Sequence, residues 1–215
     1  MIELHYYPGN ASMTPHMVLE ELGVPFKLSY VDRTKAAHKS ADYLKLNPNG
    51  LIPVLVDGDL VLYETAAILL HLADTHPDAA LMPALGTPGR AQAYKWLVWM
   101  TNTLQASLIL YFYPERWVEE ANAAGAAQVR VHAEAKVGGL LDQLDAQLAS
   151  HGRDWFLGER YSVLDPFALM LCRWTRGFAR PARSLGTLGP YLDRMLARPA
   201  VRRVLAKEKL VEPYV

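Results

Sequence analysis

Cysteine is almost missing from this chain: Cys172 is the only one among 215 residues. An intrachain disulfide is therefore excluded, and a cytoplasmic address is compatible with that usage. A charge excess is missing too. The 22 basic and 22 acidic residues cancel, which argues against nucleic acid as a partner, since phosphate binding needs a surplus of Lys and Arg. No apolar run approaches the roughly 18 residues of a spanning helix, so no membrane partner is expected. No basic leader followed by an apolar stretch opens the chain, so no secretory signal is expected. Repeats and low-complexity segments are absent. What remains is 51% hydrophobic and 20% charged, enough apolar material for a sizeable core. The length suits one large domain or two small ones.

The pattern along the chain separates two regions. Ile2-Glu3-Leu4-His5-Tyr6 alternates like a short strand. Met13 to Leu22 reads as a helix that Gly23 ends. Phe26 to Val31 alternates again, and a short helix covers Ser40 to Leu46. Val54 to Val56 and Leu60 to Tyr63 flank Asp57-Gly58-Asp59, a hairpin signal. Glu64 to Ala73 reads as a helix. This order predicts a small mixed sheet with helices on its faces over 1–77. A Pro-, Gly- and Ala-rich linker spans 78–87. From 88 to 215 no strand is predicted. A long helix runs from Thr87-Pro88 to about Tyr113, and another from about Ala123 to Ala149, weakened by Gly138-Gly139. A third begins at Ser162-Val163-Leu164-Asp165, a capping box with Asp in place of Glu. Gly189-Pro190 and Arg198-Pro199 begin two short helices.

Three places in the first region carry candidate chemistry. Pro53 stands at the mouth of a strand, where a missing N–H is a liability. Either it begins an edge strand in trans, or a cis Ile52-Pro53 bond turns the Ile52 backbone outward to pair with an extended peptide. Glu64-Thr65 opens a helix, whose free N–H groups suit a carboxylate, with the Thr65 hydroxyl as a further donor and Glu64 as a holder of ammonium. The alternative is an ordinary N-cap. Pro8-Gly9-Asn10-Ala11-Ser12 links the first strand to the first helix. Ser12 is either that helix's N-cap or a hydroxyl that stabilises a bound thiolate at the helix start; Tyr6, Tyr7 and Asn10 are the nearby alternatives.

Together these segments resemble a family. Asn47-Pro48-Asn49-Gly50-Leu51-Ile52-Pro53-Val54-Leu55, then Leu62-Tyr63-Glu64-Thr65-Ala66-Ala67-Ile68, look like the glutathione-binding half of cytosolic glutathione transferases. Ser162 to Asp165 looks like the capping motif of their second domain. The resemblance covers essentially the whole chain. It implies an α/β thioredoxin-like N-terminal domain plus an all-α helical C-terminal domain, paired as a homodimer. It implies glutathione as co-substrate, an apolar electrophile as second substrate and no metal. Pro53 would be cis, Ile52 would bind the cysteinyl part through its backbone, and Glu64 and Thr65 would hold the γ-glutamyl end. Asn49 belongs to the same binding turn. Lys35, His38 and Lys39 are the candidates for the glycine carboxylate, each otherwise a solvated surface charge.

The loop from Pro8 to His16 looks most like bacterial beta-type members, which usually carry cysteine just before the serine. Ala11 stands there, which puts thiol exchange in doubt. Aligned on the helix, Ser12 matches the catalytic serine of theta-like members, so Ser12 is the expected thiolate stabiliser, with Asn10 or Tyr6 as fallback. Beta-type members also place a histidine in the first long helix of the second domain; none stands between Ala91 and Trp117. Tyr111 and Tyr113, with Trp99, Phe112 and Trp117, are core aromatics or the wall of a second-substrate pocket. Cys172 reads as buried filler, and the Arg-rich stretch from Arg173 to Arg203 as solvated surface or an attractor of anions. The expected function is conjugation of the glutathione thiolate to an electrophile. The alternatives are a binding or regulatory protein without turnover, or an isomerase or peroxidase on the same scaffold.

Overall fold

The computed structural model describes all 215 residues, which divide into two compact units. The first comprises Met1–Met82 and Met195–Glu212, the second Pro83–Arg194 and Pro213–Val215. The segment 195–212 thus belongs with the first unit, although the sequence expectation assigned everything after 88 to the second. The reason lies in side chains that only folding brings together. Glu21 takes a two-pronged ion pair from Arg198 (2.6 and 2.9 Å), and Glu20 accepts from Arg203 and Lys207, each at 2.5 Å.

The first unit is a four-stranded sheet in the order β2-β1-β3-β4. Its elements are β1 (Ile2–Tyr6), α1 (Met13–Leu22), β2 (Phe26–Tyr30), α2 (Ala41–Leu46), β3 (Val54–Asp57), β4 (Leu60–Tyr63) and α3 (Thr65–Thr75). β1 and β2 are parallel, the β1–β3 and β3–β4 pairs antiparallel. Leu4 and Leu55 from the sheet and Met13, Met17, Leu19, Ile68, Leu69 and Leu72 from the helices are fully buried and make the core. Gly23 ends α1 with φ of 65°, its N–H closing on Leu19 O, a left-handed cap that glycine takes without penalty.

The second unit is helical: α4 (Pro88–Trp99), α5 (Ala106–Phe112), α6 (Ala123–His151), α7 (Leu164–Arg173) and most of α8 (Leu188–Ala197). α9 (Pro199–Lys207) falls in the first unit. The expected helix over 88–113 exists, but its middle, Met100–Gln105, is a π-helix. Thr101 Oγ1 donates back to Leu97 O (2.9 Å) and Ser107 Oγ to Thr103 O (2.7 Å), the back-bonding that loosens an α-helical ladder. Gly138-Gly139 does not interrupt α6, because Val137, Leu140, Leu141 and Leu144 are buried on one face there and packing outweighs propensity. No helix is long and apolar enough to cross a membrane.

Candidate active site

The sheet register brings the three candidate segments to one end. Val54 pairs with His5 on one side and with Tyr63 on the other. Pro53 directly precedes Val54, Tyr6 follows His5 and Glu64 follows Tyr63, so all three segments lead off the same end of the sheet. The loop after β1, the turn before β3 and the start of α3 therefore meet where β3 begins.

The Ile52-Pro53 bond is cis. β3 is an interior strand, which corrects the expectation of a sheet edge: the Ile52 backbone lies just before an interior strand starts to pair. The Ile52 side chain is buried beside Val31, Tyr43 and Val54, with Tyr7 packed against this cluster. Its own N–H and C=O have no partner among the protein's backbone hydrogen bonds. The preceding turn is rigid. Asn47 Nδ2 and Tyr43 OH both donate to Leu51 O, each at 2.9 Å, and Asn49 N–H donates to Asn47 Oδ1 at 3.0 Å. Gly50 has φ of 57°, and a Cβ there would sit 2.8 Å from His38 O, so both conformation and space demand glycine.

The start of α3 is open. No side chain caps it, and its first intrahelical bond is Ile68 N–H to Glu64 O. The N–H groups of Thr65, Ala66 and Ala67 are left without acceptors, an anion-binding arrangement. The alternative of an ordinary side-chain N-cap is thereby removed. Glu64 has φ of 72° and ψ of 114°, a costly conformation for a non-glycine residue of the kind found at functional sites. Its carboxylate is exposed, and Thr65 is buried.

The basic candidates differ. Lys39 Nζ donates to Asn49 O at 3.0 Å, so it lies on the binding turn. His38 Nδ1 is buried without a hydrogen-bond partner, and burial, with Arg33 and Lys39 nearby, lowers its pKa. Lys35 is exposed and lies 3.8 Å from Asp32.

The loop before α1 holds Ser12 inside. Its exposure is 0%. Its hydroxyl donates to Tyr7 O (3.1 Å) and accepts from Tyr7 N–H (3.2 Å). Serine at this position is a staple between β1 and α1. Asn10 is half-buried. Its Oδ1 accepts from Ala11 N–H (2.5 Å), while its Nδ2 has no protein partner. Tyr6 lies edge-on to His16 and Tyr30, and burial, with Glu208 nearby, raises its pKa.

Glu208 was missed by sequence reasoning. Its buried carboxylate accepts from Gly9 N–H at 2.7 Å and meets His16 Nδ1 at 2.8 Å, tying the loop to a residue 199 positions away. No local pattern marks such a residue. Asn47 was legible, since Asn before a turn bonds the backbone two residues on. Tyr111 and Tyr113 lie on and just after α5, both half-buried. Cys172 is fully buried, its pKa pushed up to about 12 by that burial, so it is no nucleophile.

The fold defines a class: a thioredoxin-like α/β unit followed by a helical unit. A family model for the glutathione S-transferase N-terminal domain matches residues 10–75. A glutathione S-transferase of Xanthomonas campestris is 32% identical over 97% of this chain and 100% of its own length. A glutathione transferase homolog from Sulfitobacter, solved with bound glutathione, superposes with a TM-score of 0.88 at 25% identity, covering 98% of this chain and 99% of that one. A glutathione S-transferase from Xylella fastidiosa gives a TM-score of 0.88 at 27% identity over 98% and 100%. The chain belongs to the glutathione S-transferase family.

Proposed function

We propose that the protein conjugates the thiol of glutathione to an electrophilic, largely apolar small molecule. One observation carries this reading: the unpaired Ile52 backbone beside the cis Pro53 and the uncapped start of α3 meet at one end of the sheet. Ile52 pairs with the cysteinyl residue as an added strand does. The γ-glutamyl carboxylate takes the N–H groups of α3 and the Thr65 hydroxyl, and Glu64 takes the ammonium. The glycine carboxylate goes to Lys39 and His38, with Asn49 on the same turn; Lys35 is the outer candidate.

The open donors for the sulfur are Asn10 Nδ2 and the Tyr6 hydroxyl, with Ser12 holding the loop that presents them. They favour the thiolate, which attacks the electrophilic carbon while a leaving group departs with its electron pair. Orientation of the two reactants supplies much of the acceleration. Detoxification is the role this chemistry suits. A homodimer is part of the proposal, supported by exposed apolar side chains at Leu51 and, one turn apart on α4, Tyr94 and Val98.

The closed Ser12 hydroxyl favours a second reading, glutathione binding without turnover. Calorimetry with glutathione and conjugation of an aryl halide separate the two. Binding with thiol-dependent product, reduced in Asn10→Ala or Tyr6→Phe, supports the transferase. Binding without product on a broad electrophile panel supports the second reading, and absence of glutathione binding removes both.

A further inference from the structure

Two titratable side chains lie in the core of the first unit, outside the proposed glutathione contacts. His16 on α1 and Glu208 at the end of α9 both belong to that unit, and both side chains are completely buried. His16 Nδ1 meets Glu208 Oε1 at 2.8 Å, which places the ring proton on Nδ1, since a carboxylate only accepts. His16 Nε2 has no hydrogen-bond partner. Glu20 Oε1 stands 4.0 Å from it but is taken by Lys207, with Arg203 on the other oxygen. Glu208 pairs with no lysine or arginine. Its second oxygen, Oε2, accepts from Gly9 N–H at 2.7 Å.

A buried imidazole–carboxylate pair is a poor source of stability, because desolvation offsets much of the attraction. It does what an apolar pair cannot: the ring fixes one carboxylate oxygen and so aims the other at the loop. Both donors assigned to the sulfur lean on this pair. Asn10 follows Gly9, whose N–H the carboxylate holds. Tyr6 sets its ring edge-on to His16, 6.2 Å between centroids. Burial and the Glu208 charge raise the Tyr6 pKa, so its hydroxyl stays a donor. The groups assigned to the two ends of the peptide, by contrast, sit on the turn before β3 and at the start of α3.

We propose that His16 and Glu208 are positioning residues: the pair sets where Asn10 and Tyr6 stand against the glutathione sulfur, and itself touches neither reactant. This deepens the transferase reading and rests on it.

The test compares His16→Phe, His16→Asn and Glu208→Gln with the parent. Calorimetry gives the glutathione Kd, an aryl halide gives kcat, and ultraviolet absorbance gives the thiolate fraction of bound glutathione. Phe keeps a ring and removes the Nδ1 proton; Asn keeps an N–H near the same place. In His16→Phe kcat falls by about ten- to a hundredfold, the scale of a misplaced reacting group. The thiolate fraction at neutral pH falls with it, while Kd stays within about twofold, the signature of an interaction used in the transition state. His16→Asn recovers most of both. Glu208→Gln, nearly the same shape, shows the same split and decides the question where the phenyl ring prevents folding. A role in packing alone would lower the melting temperature without separating kcat from Kd. Unchanged kcat and thiolate fraction in the folded variants, a loss of binding in step with kcat, or no recovery in His16→Asn overturns the proposal. The thiolate readout needs bound glutathione but no turnover. A parent that binds glutathione as thiolate yet conjugates nothing defeats the transferase reading, and the thiolate loss in the variants then carries the positioning role by itself. Absence of glutathione binding overturns both.

Discussion

Removing Asp165 should destabilise the helical unit, and more so in acid. Its carboxyl group is completely buried. It accepts from Phe156 N–H (2.8 Å), Ser162 N–H (2.7 Å), Ser162 Oγ (3.1 Å) and Tyr191 OH (2.9 Å). In Asp165→Ala the hydroxyls can turn elsewhere, but two buried backbone N–H groups cannot. At about 1–3 kcal/mol per orphaned group, the loss is about 4 kcal/mol. For a chain of this length that is a fall in Tm of roughly 8–16 °C. The pH dependence carries a sign. Burial, opposed by those four hydrogen bonds, raises the Asp165 pKa from 3.8 to about 6. The folded state therefore binds the proton more tightly than the unfolded state. The stability from this proton is fully present below the unfolded pKa and is lost as pH rises through about 6, a span of about 3 kcal/mol at 1.36 kcal/mol per unit. The gap between parent and Asp165→Ala should thus widen by about 2 kcal/mol between pH ~7.5 and pH ~4.5. Urea titrations of both proteins across that range measure it. A gap that narrows in acid would refute the reasoning, because it would mean that the ionised carboxylate is the form the fold prefers.

Three further outcomes are expected. Ser12→Ala should lower stability by about 1–2 kcal/mol through the orphaned Tyr7 backbone groups, while conjugation stays within a few-fold of the parent; a hundredfold loss of kcat with unchanged melting would return Ser12 to the chemistry. Thr65→Ala and Glu64→Gln should each weaken glutathione binding by about tenfold, near the scale of a hydrogen bond to a charged group, without changing the circular dichroism spectrum; unaltered calorimetric affinity would place the γ-glutamyl end elsewhere. Glu208→Gln should cost about 2 kcal/mol, since the amide replaces only one of two acceptor oxygens facing Gly9 and His16, and should loosen the loop, read as faster amide exchange at Gly9. Unchanged exchange there would show that the carboxylate does not hold it.

The division between what could be read early and what could not follows the range of the interactions. Read alone, Asn47 to Pro53 left the Ile52-Pro53 bond open between trans and cis; cis was expected only from the family resemblance, and the structure has it. The open α3 start was legible as a helix start, but its lack of a cap was not, since Glu64 takes a backbone conformation that no local preference suggests. The surroundings of Ser12 were not legible for a related reason. A serine before a helix reads the same whether its hydroxyl faces a ligand or the preceding strand, and here it donates to Tyr7 O and accepts from Tyr7 N–H.

By itself, then, the amino-acid order determined the β-α-β-α-β-β-α first unit and the helical second unit. Periodicity, turn residues and caps act over a few positions, so they are written in consecutive letters. Only the tertiary structure decided that Ser12 is closed, that β3 is interior, that the 195–212 segment joins the first unit, and that Glu208 holds Gly9. The last two depend on groups that meet 177 and 199 positions apart, and all four on strand order and packing that consecutive letters do not record.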